Sequence, residues 1–152
     1  MRIQTSLLHA LVLILAYSLN AAPISELIVV DQLGYRPASD KWFMIAVPVT
    51  GQNAGQGRPP ASEVQIRRTS DLAVIQSISL QRWSNGAVHS SSGDRVWQGE
   101  FSNLRSPGTY HIYDPANDVQ SFDFDIREDA YNSILTASTK SYYYQRSGTA
   151  IT

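Results

Sequence analysis

The chain has 152 residues, a formal net charge of -1 and no cysteine. That length suits one domain, and the missing cysteine excludes disulfides, cysteine-ligated zinc and a thiol nucleophile. Charges of both signs are interspersed, with no basic stripe for nucleic acid and no polybasic cluster for an anionic membrane.

Residues 1–22 read as a signal peptide. Met1-Arg2 supplies the positive end, Leu7 to Leu19 a largely apolar run, and Asn20-Ala21-Ala22 small residues for cleavage. The run falls short of the roughly 20 residues of a bilayer span, which favours a cleaved leader over a retained anchor. A secreted or periplasmic protein, with no membrane contact after cleavage, is the expectation.

Residues 23–127 break into short alternating runs separated by turn residues. Strands are expected over Ser25–Asp31, Lys41–Pro48, Ser62–Thr69, Ala73–Arg82, Arg95–Phe101, Thr109–Tyr113 and Val119–Arg127. In the last, Phe122, Phe124 and Ile126 are expected inside, opposite Ser121, Asp123 and Asp125. Thr50–Ala61, rich in Gly, Pro, Gln and Asn, reads as a mobile loop. About seven strands at this spacing predict an all-β, immunoglobulin-like sandwich. Leu104 followed by Pro107-Gly108-Thr109-Tyr110 has the pattern of a tyrosine corner, the alternative being an ordinary turn before a core tyrosine.

From Asp129 the period changes. Tyr131, Ile134, Leu135, Ser138 and Tyr142 fall at helical spacing, with Asp129 placed to cap the start and Gly148 placed to end the helix. The segment is rich in Ser and Thr, so it depends on packing partners.

Catalytic chemistry is sparse. Glycoside hydrolysis uses two carboxylates about 5 to 9.5 Å apart. Asp123 and Asp125 alternate on one strand face and read as a solvated surface; Asp94 and Glu100 have nothing that ties them to a cleft. His89 and His111 have no Ser or Asp partner at a recognisable spacing and read as structural or surface residues. Asp114, Asn117 and Asp118 offer three oxygen-bearing side chains without the EF-hand spacing, and read as a turn before a calcium site. No metal or cofactor is expected. Trp42 and Trp97 lie within strands and are expected in the core. Trp83, before a turn, is the one candidate sugar platform, with packing the favoured role.

Val30-Asp31-Gln32-Leu33-Gly34-Tyr35-Arg36-Pro37, with Lys41 after it, resembles the opening motif of the cellulase N-terminal immunoglobulin-like domain. That domain precedes the catalytic domain in endoglucanases of glycoside hydrolase family 9. Gly99-Glu100-Phe101 and Pro107-Gly108-Thr109-Tyr110-His111-Ile112-Tyr113-Asp114 resemble its distal half. Tyr142-Tyr143-Tyr144-Gln145-Arg146-Ser147-Gly148 resembles the first helix of the family's (α/α)6 catalytic barrel. The family often has Asn at the place of Asp31 and Cys at that of Ser147.

The resemblance implies a parent enzyme that hydrolyses β-1,4-glucan with inversion. Its base lies in an Asp-Ala-Gly-Asp motif that this sequence lacks. Residues 128–152 are therefore expected to be the first helix of a catalytic domain that is otherwise missing, and the chain is expected to be inactive alone. Tyr131, Ile134, Leu135, Tyr142, Tyr143, Tyr144, Gln145 and Arg146 would form the interface with that barrel in cis. Cellulose or another β-glucan would be bound weakly, through Trp83. The alternative is a free-standing extracellular polysaccharide-binding sandwich.

Overall fold

The structure, a computed structural model, describes residues 21–145. The leader expected over 1–22, apart from Ala21 and Ala22, lies outside these residues, as do Arg146, Ser147 and Gly148. The described residues form nine strands and one helix: β1 (Ile28–Val29), β2 (Trp42–Pro48), β3 (Glu63–Arg68), β4 (Val74–Ser79), β5 (Gln81–Arg82), β6 (Asp94–Glu100), β7 (Gly108–Asp114), β8 (Val119–Gln120), β9 (Phe124–Ile126) and α1 (Asn132–Tyr144). One sheet runs β1-β2-β6-β5. The other runs β4-β3-β7-β8, with β9 also pairing β7, and every strand pair is antiparallel. The expected immunoglobulin-like sandwich is what the chain adopts.

Period-2 alternation builds the core. β2 turns Phe43, Ile45 and Val47 inward, β3 contributes Val64 and Ile66, and β7 contributes Tyr110 and Ile112. Tyr35 is buried edge-on against Phe101 and Phe124, with ring centroids 5.0 and 5.3 Å apart. Gly99 lies directly across the ladder from Phe43, and a Cβ there would collide with the Phe43 ring. The tyrosine corner is present: the Tyr110 hydroxyl donates to the Ser106 carbonyl at 3.1 Å.

Four expectations need correcting. The strand expected over Ala73–Arg82 divides at Leu80: β4 pairs with β3, whereas β5 crosses to the other sheet and pairs with β6. Within Val119–Arg127, Tyr113 pairs with Gln120 and Tyr110 with Phe124, so three steps on β7 match four on its partner. That extra residue is a bulge, and it reverses the facing. Ser121 is buried, its Oγ accepting the Ile112 N–H at 2.9 Å, while Phe122 is 41% exposed. Trp42, expected in the core, is 50% exposed, because the side chains that alternate with Phe43 and Ile45 point outward. Finally, Asp129 does not cap α1 with its side chain. Its carboxylate turns to Arg127 at 3.3 Å, and only its backbone carbonyl accepts the Asn132 N–H.

The loop over 50–61 is anchored at its far end. Asp114 Oδ1 accepts the Ala61 N–H, and the Asn117 amide donates to the Pro59 carbonyl. None of the α1 residues is buried, and Thr136 and Thr139 turn their hydroxyls back to carbonyls one turn earlier.

Candidate functional site

The opening motif is a structural knot at the edge of the sandwich. Asp31 Oδ1 accepts the Leu33 N–H at 2.9 Å and starts a turn. Gly34 then adopts φ +92°, where a Cβ would stand 2.6 Å from the Asp125 carbonyl oxygen. That close approach lets the Tyr35 N–H donate to Asp125 O and the Arg127 N–H donate to Tyr35 O. The buried Tyr35 hydroxyl donates to Trp42 O at 2.7 Å and accepts the Asp31 N–H. Burial, with the Asp31 charge nearby, pushes the Tyr35 phenol up to about 12. Lys41 is fully buried, its ammonium donating to the carbonyls of Pro37 and Ser39 at 2.8 and 2.9 Å. Burial, reinforced by Arg105, holds it below the ordinary lysine value.

Asp31 also reaches the start of the helix. Its Oδ2 accepts the Tyr131 hydroxyl at 2.8 Å, across 100 residues of sequence. The Tyr131 phenol is raised by burial and by that bond. Val29, Asp31, Trp42, Met44 and Tyr131 line an open hollow of about 430 Å³ on the outer face of the β1-β2-β6-β5 sheet. Of the expected interface residues, Tyr131 is the one whose hydrogen bond to the motif is seen among the described residues, through Asp31. Ile134, Leu135, Tyr142 and Tyr143 are exposed on α1. Tyr143 and Tyr144 meet edge-on with centroids 5.6 Å apart, and the Gln145 side-chain amide donates to Ser141 Oγ at 3.4 Å. Arg146 lies outside the described residues.

Trp83 occupies the 3₁₀ turn Trp83–Gly86, is 36% exposed, and tilts against His89 with centroids 5.3 Å apart. Trp42 is the more open of the two indoles, and sequence reasoning missed it. The signal was available: once Phe43, Ile45 and Val47 take the core face, period 2 sends Trp42 and Met44 outward.

The carboxylates are committed to neighbours. Asp125 accepts the Thr109 hydroxyl at 2.8 Å, and Asp123 accepts the Thr69 hydroxyl at 3.2 Å. Glu100 accepts the Ser102 N–H at 2.9 Å, and its bonds to Ser102 hold it below the ordinary value. Asp94 sits at the start of β6, opposite Pro48. His111 has the partners its sequence neighbourhood did not offer. It is buried on the outer side of β7, with Nδ1 3.4 Å from Thr69 Oγ1 and 3.5 Å from Asp123 Oδ1, and burial lowers its basicity. Asp114 is buried and accepts from Ala61, Ala116 and Asn117. Asp118 accepts the Tyr113 hydroxyl at 2.8 Å. These three residues close the loop, and among the described residues no cluster of His, Asp or Glu is placed to hold a metal ion. No helix among them is long and apolar enough to cross a membrane.

A two-sheet sandwich with a tyrosine corner and a buried-lysine turn defines a module of the immunoglobulin-like class. Residues 25–121 match the model of the cellulase N-terminal Ig-like domain, and the chain belongs to that family. Among solved structures it is similar to a metagenome-derived glycoside hydrolase family 9 endoglucanase. The two are 33% identical with a TM-score of 0.60, over 82% of this chain and 22% of that one. A Bacteroides ovatus protein of glycoside hydrolase family 9 is 22% identical with a TM-score of 0.60, over 78% and 19%. A single-mutant thermostable endoglucanase from Alicyclobacillus acidocaldarius is 21% identical with a TM-score of 0.56, over 80% and 18%. The last two speak for the fold alone. The chain spans about a fifth of the length of these proteins. No curated protein matches the sequence.

Proposed function

We propose that this chain is the accessory immunoglobulin-like module of a secreted endoglucanase, exported by the leader over 1–22 and acting beside a catalytic domain in cis. The family match over residues 25–121 carries the reading. The short span of the related enzyme that the chain covers supports a catalytic partner. In this reading α1 is the first helix of an (α/α)6 barrel. Its exposed face (Ile134, Leu135, Tyr142 and Tyr143) is covered by neighbouring barrel helices, and Tyr144, Gln145 and Arg146 belong to the same expected interface. Tyr131 bridges module and barrel.

The 152-residue chain has no hydrolytic activity of its own in this reading. The reading is supported by the carboxylates of Asp123, Asp125 and Glu100, each of which accepts a hydrogen bond from a neighbouring Thr or Ser. Trp83 remains a minor candidate for sugar contact, since His89 already occupies part of its ring.

Two arms test the reading. The chain alone, incubated with carboxymethylcellulose, is expected to release no reducing ends above a buffer blank. The same module, exchanged for the corresponding segment of the metagenome-derived endoglucanase, is expected to give an active and soluble enzyme. Turnover by the isolated chain that survives repurification would overturn the first arm. A chimera that neither folds nor hydrolyses, beside a native control that does, would overturn the second.

A further inference from the structure

The connection from β5 to β6 runs left-handed over three successive residues. Ser84 and Asn85 take φ +46° and +57°, and Gly86 takes φ +86°. The Ala87 N–H donates to Ser84 O at 3.1 Å and closes a turn with Asn85 and Gly86 at its centre. Positive φ at both central positions is what a primed turn requires, and Asn-Gly meets it with little strain. Of the six asparagines in the sequence, only Asn85 precedes glycine.

The dipeptide that suits the turn is also chemically vulnerable. Asn85 is exposed, and no hydrogen bond holds its side chain among the described residues. Asn117 is the opposite case, its amide donating to Pro59 O and to Asp114. Gly86 has no side chain to shield its nitrogen. Two guanidinium groups flank it: Arg95 Nε donates to Gly86 O at 2.9 Å, and Arg82 Nη1 stands 3.9 Å from where a Gly86 side chain would begin. An amide nitrogen attacks as its anion, and positive charge alongside favours that anion.

The conformation of the turn opposes the same attack. Asn85 has ψ +24°, which places the Gly86 nitrogen on the far side of the Cα–C bond from Cβ. Ring closure needs the nitrogen and the side chain on one side. Asn85 must therefore rotate out of the left-handed well, and the Ala87–Ser84 bond must open. The population of that locally opened turn then sets the rate.

We propose that Asn85 is a site of spontaneous modification gated by this turn. The Gly86 nitrogen gives its proton to hydroxide and bonds to Asn85 Cγ. The Cγ–Nδ2 bond breaks, and ammonia leaves with a proton from water. Water then opens the resulting cyclic imide. Attack at Cγ gives aspartate; attack at the Asn85 main-chain carbonyl gives isoaspartate. Nothing is oxidised or reduced, and water is the co-reactant. Either product puts a carboxylate beside Arg82 and Arg95, and isoaspartate adds a methylene to the main chain inside the turn. The module reading plays no part here, so the two stand or fall separately.

The test incubates the full chain at mildly alkaline pH, native and in urea, and maps its peptides by mass spectrometry. The native chain is expected to exchange NH for O at Asn85, with protein isoaspartyl methyltransferase labelling the same peptide. Conversion in urea should be at least several-fold faster, because the gate is gone. Asn53 and Asn103, also exposed but followed by Ala54 and Leu104, should remain amides over the same interval. Asn85→Gln, whose longer side chain closes a less favoured ring, should remove the signal in both samples. The proposal is overturned if Asn85 stays an amide in the native chain after the urea sample has converted, or if it stays so in both. Equal rates in the two samples would overturn it as well, since the turn would then be no gate.

Discussion

Tyr110 anchors the turn before β7 through one hydrogen bond to Ser106 O, and its ring packs against Phe124 with centroids 6.2 Å apart. Tyr110→Phe keeps the packing and strands a carbonyl, so a loss of roughly 1–3 kcal/mol is expected. It would be read as a shifted denaturation midpoint at unchanged slope; an unmoved midpoint would show that the bond is idle. His111 gives the domain a pH dependence. Burial, opposed in part by Asp123 and reinforced by Arg67, lowers its folded-state pKa below the unfolded value of about 6.5. Below about 6.5 the unfolded chain therefore binds the proton that the folded chain refuses. The contribution is complete above that pH and erodes as pH falls toward the folded pKa. Moreover, His111 Nε2 is buried without a partner among the described residues, so a proton placed there is an unsatisfied donor. Denaturation series at pH 7.5 and 5.5 should show a falling midpoint that flattens in His111→Gln. An equal fall in that variant would assign the dependence to the carboxylates instead.

At the scale of elements, the helix is the weak member. With no buried residue, no side-chain cap and a Ser/Thr-rich sequence, α1 has neither packing nor propensity to hold it. Amides of Ile134 to Tyr144 should exchange far faster than those of Phe43 to Val47. Deleting 132–152 should leave the denaturation midpoint of the sandwich nearly unchanged. Protection of the two segments to the same degree in a verified monomer would mean that α1 has partners within the chain. The strands themselves were largely legible, because Val64 and Ile66, or Trp97 and Phe101, alternate without interruption. Two breaks were not. The crossing at Leu80 leaves the alternation of Ile78 and Leu80 intact, and periodicity cannot report a change of sheet. The bulge at Ser121 was hidden because Phe122, Phe124 and Ile126 continue a perfect alternation. Only the hydroxyl of Ser121, accepting from Ile112, reveals where the phase slips.

For the whole molecule, the fold followed from spacing and turn chemistry, and the surface did not. Trp42 read as core because Lys41–Pro48 is almost continuously apolar, yet one side of the four-stranded sheet is open. His111 was read without partners because Thr69 and Asp123 come from distant segments that only the sandwich brings together. The motif around Asp31 was visible as a pattern, but its physical content was not: a fully buried ammonium served by two carbonyls, and a glycine pressed onto Asp125.

The bond between Asp31 and Tyr131 has a mechanical consequence. The backbone leaves the sandwich at Arg127, whose N–H is held by Tyr35, and Ala130 is buried just before the tyrosine. A chain held at one point swivels; a chain held at two, a few residues apart, has a direction. Swinging α1 about its connector requires the charge-assisted Tyr131–Asp31 bond to break, at a cost of about 1.5–3 kcal/mol. The joint is a bracket rather than a tether, and whatever the helix carries is presented to the sandwich at a set angle.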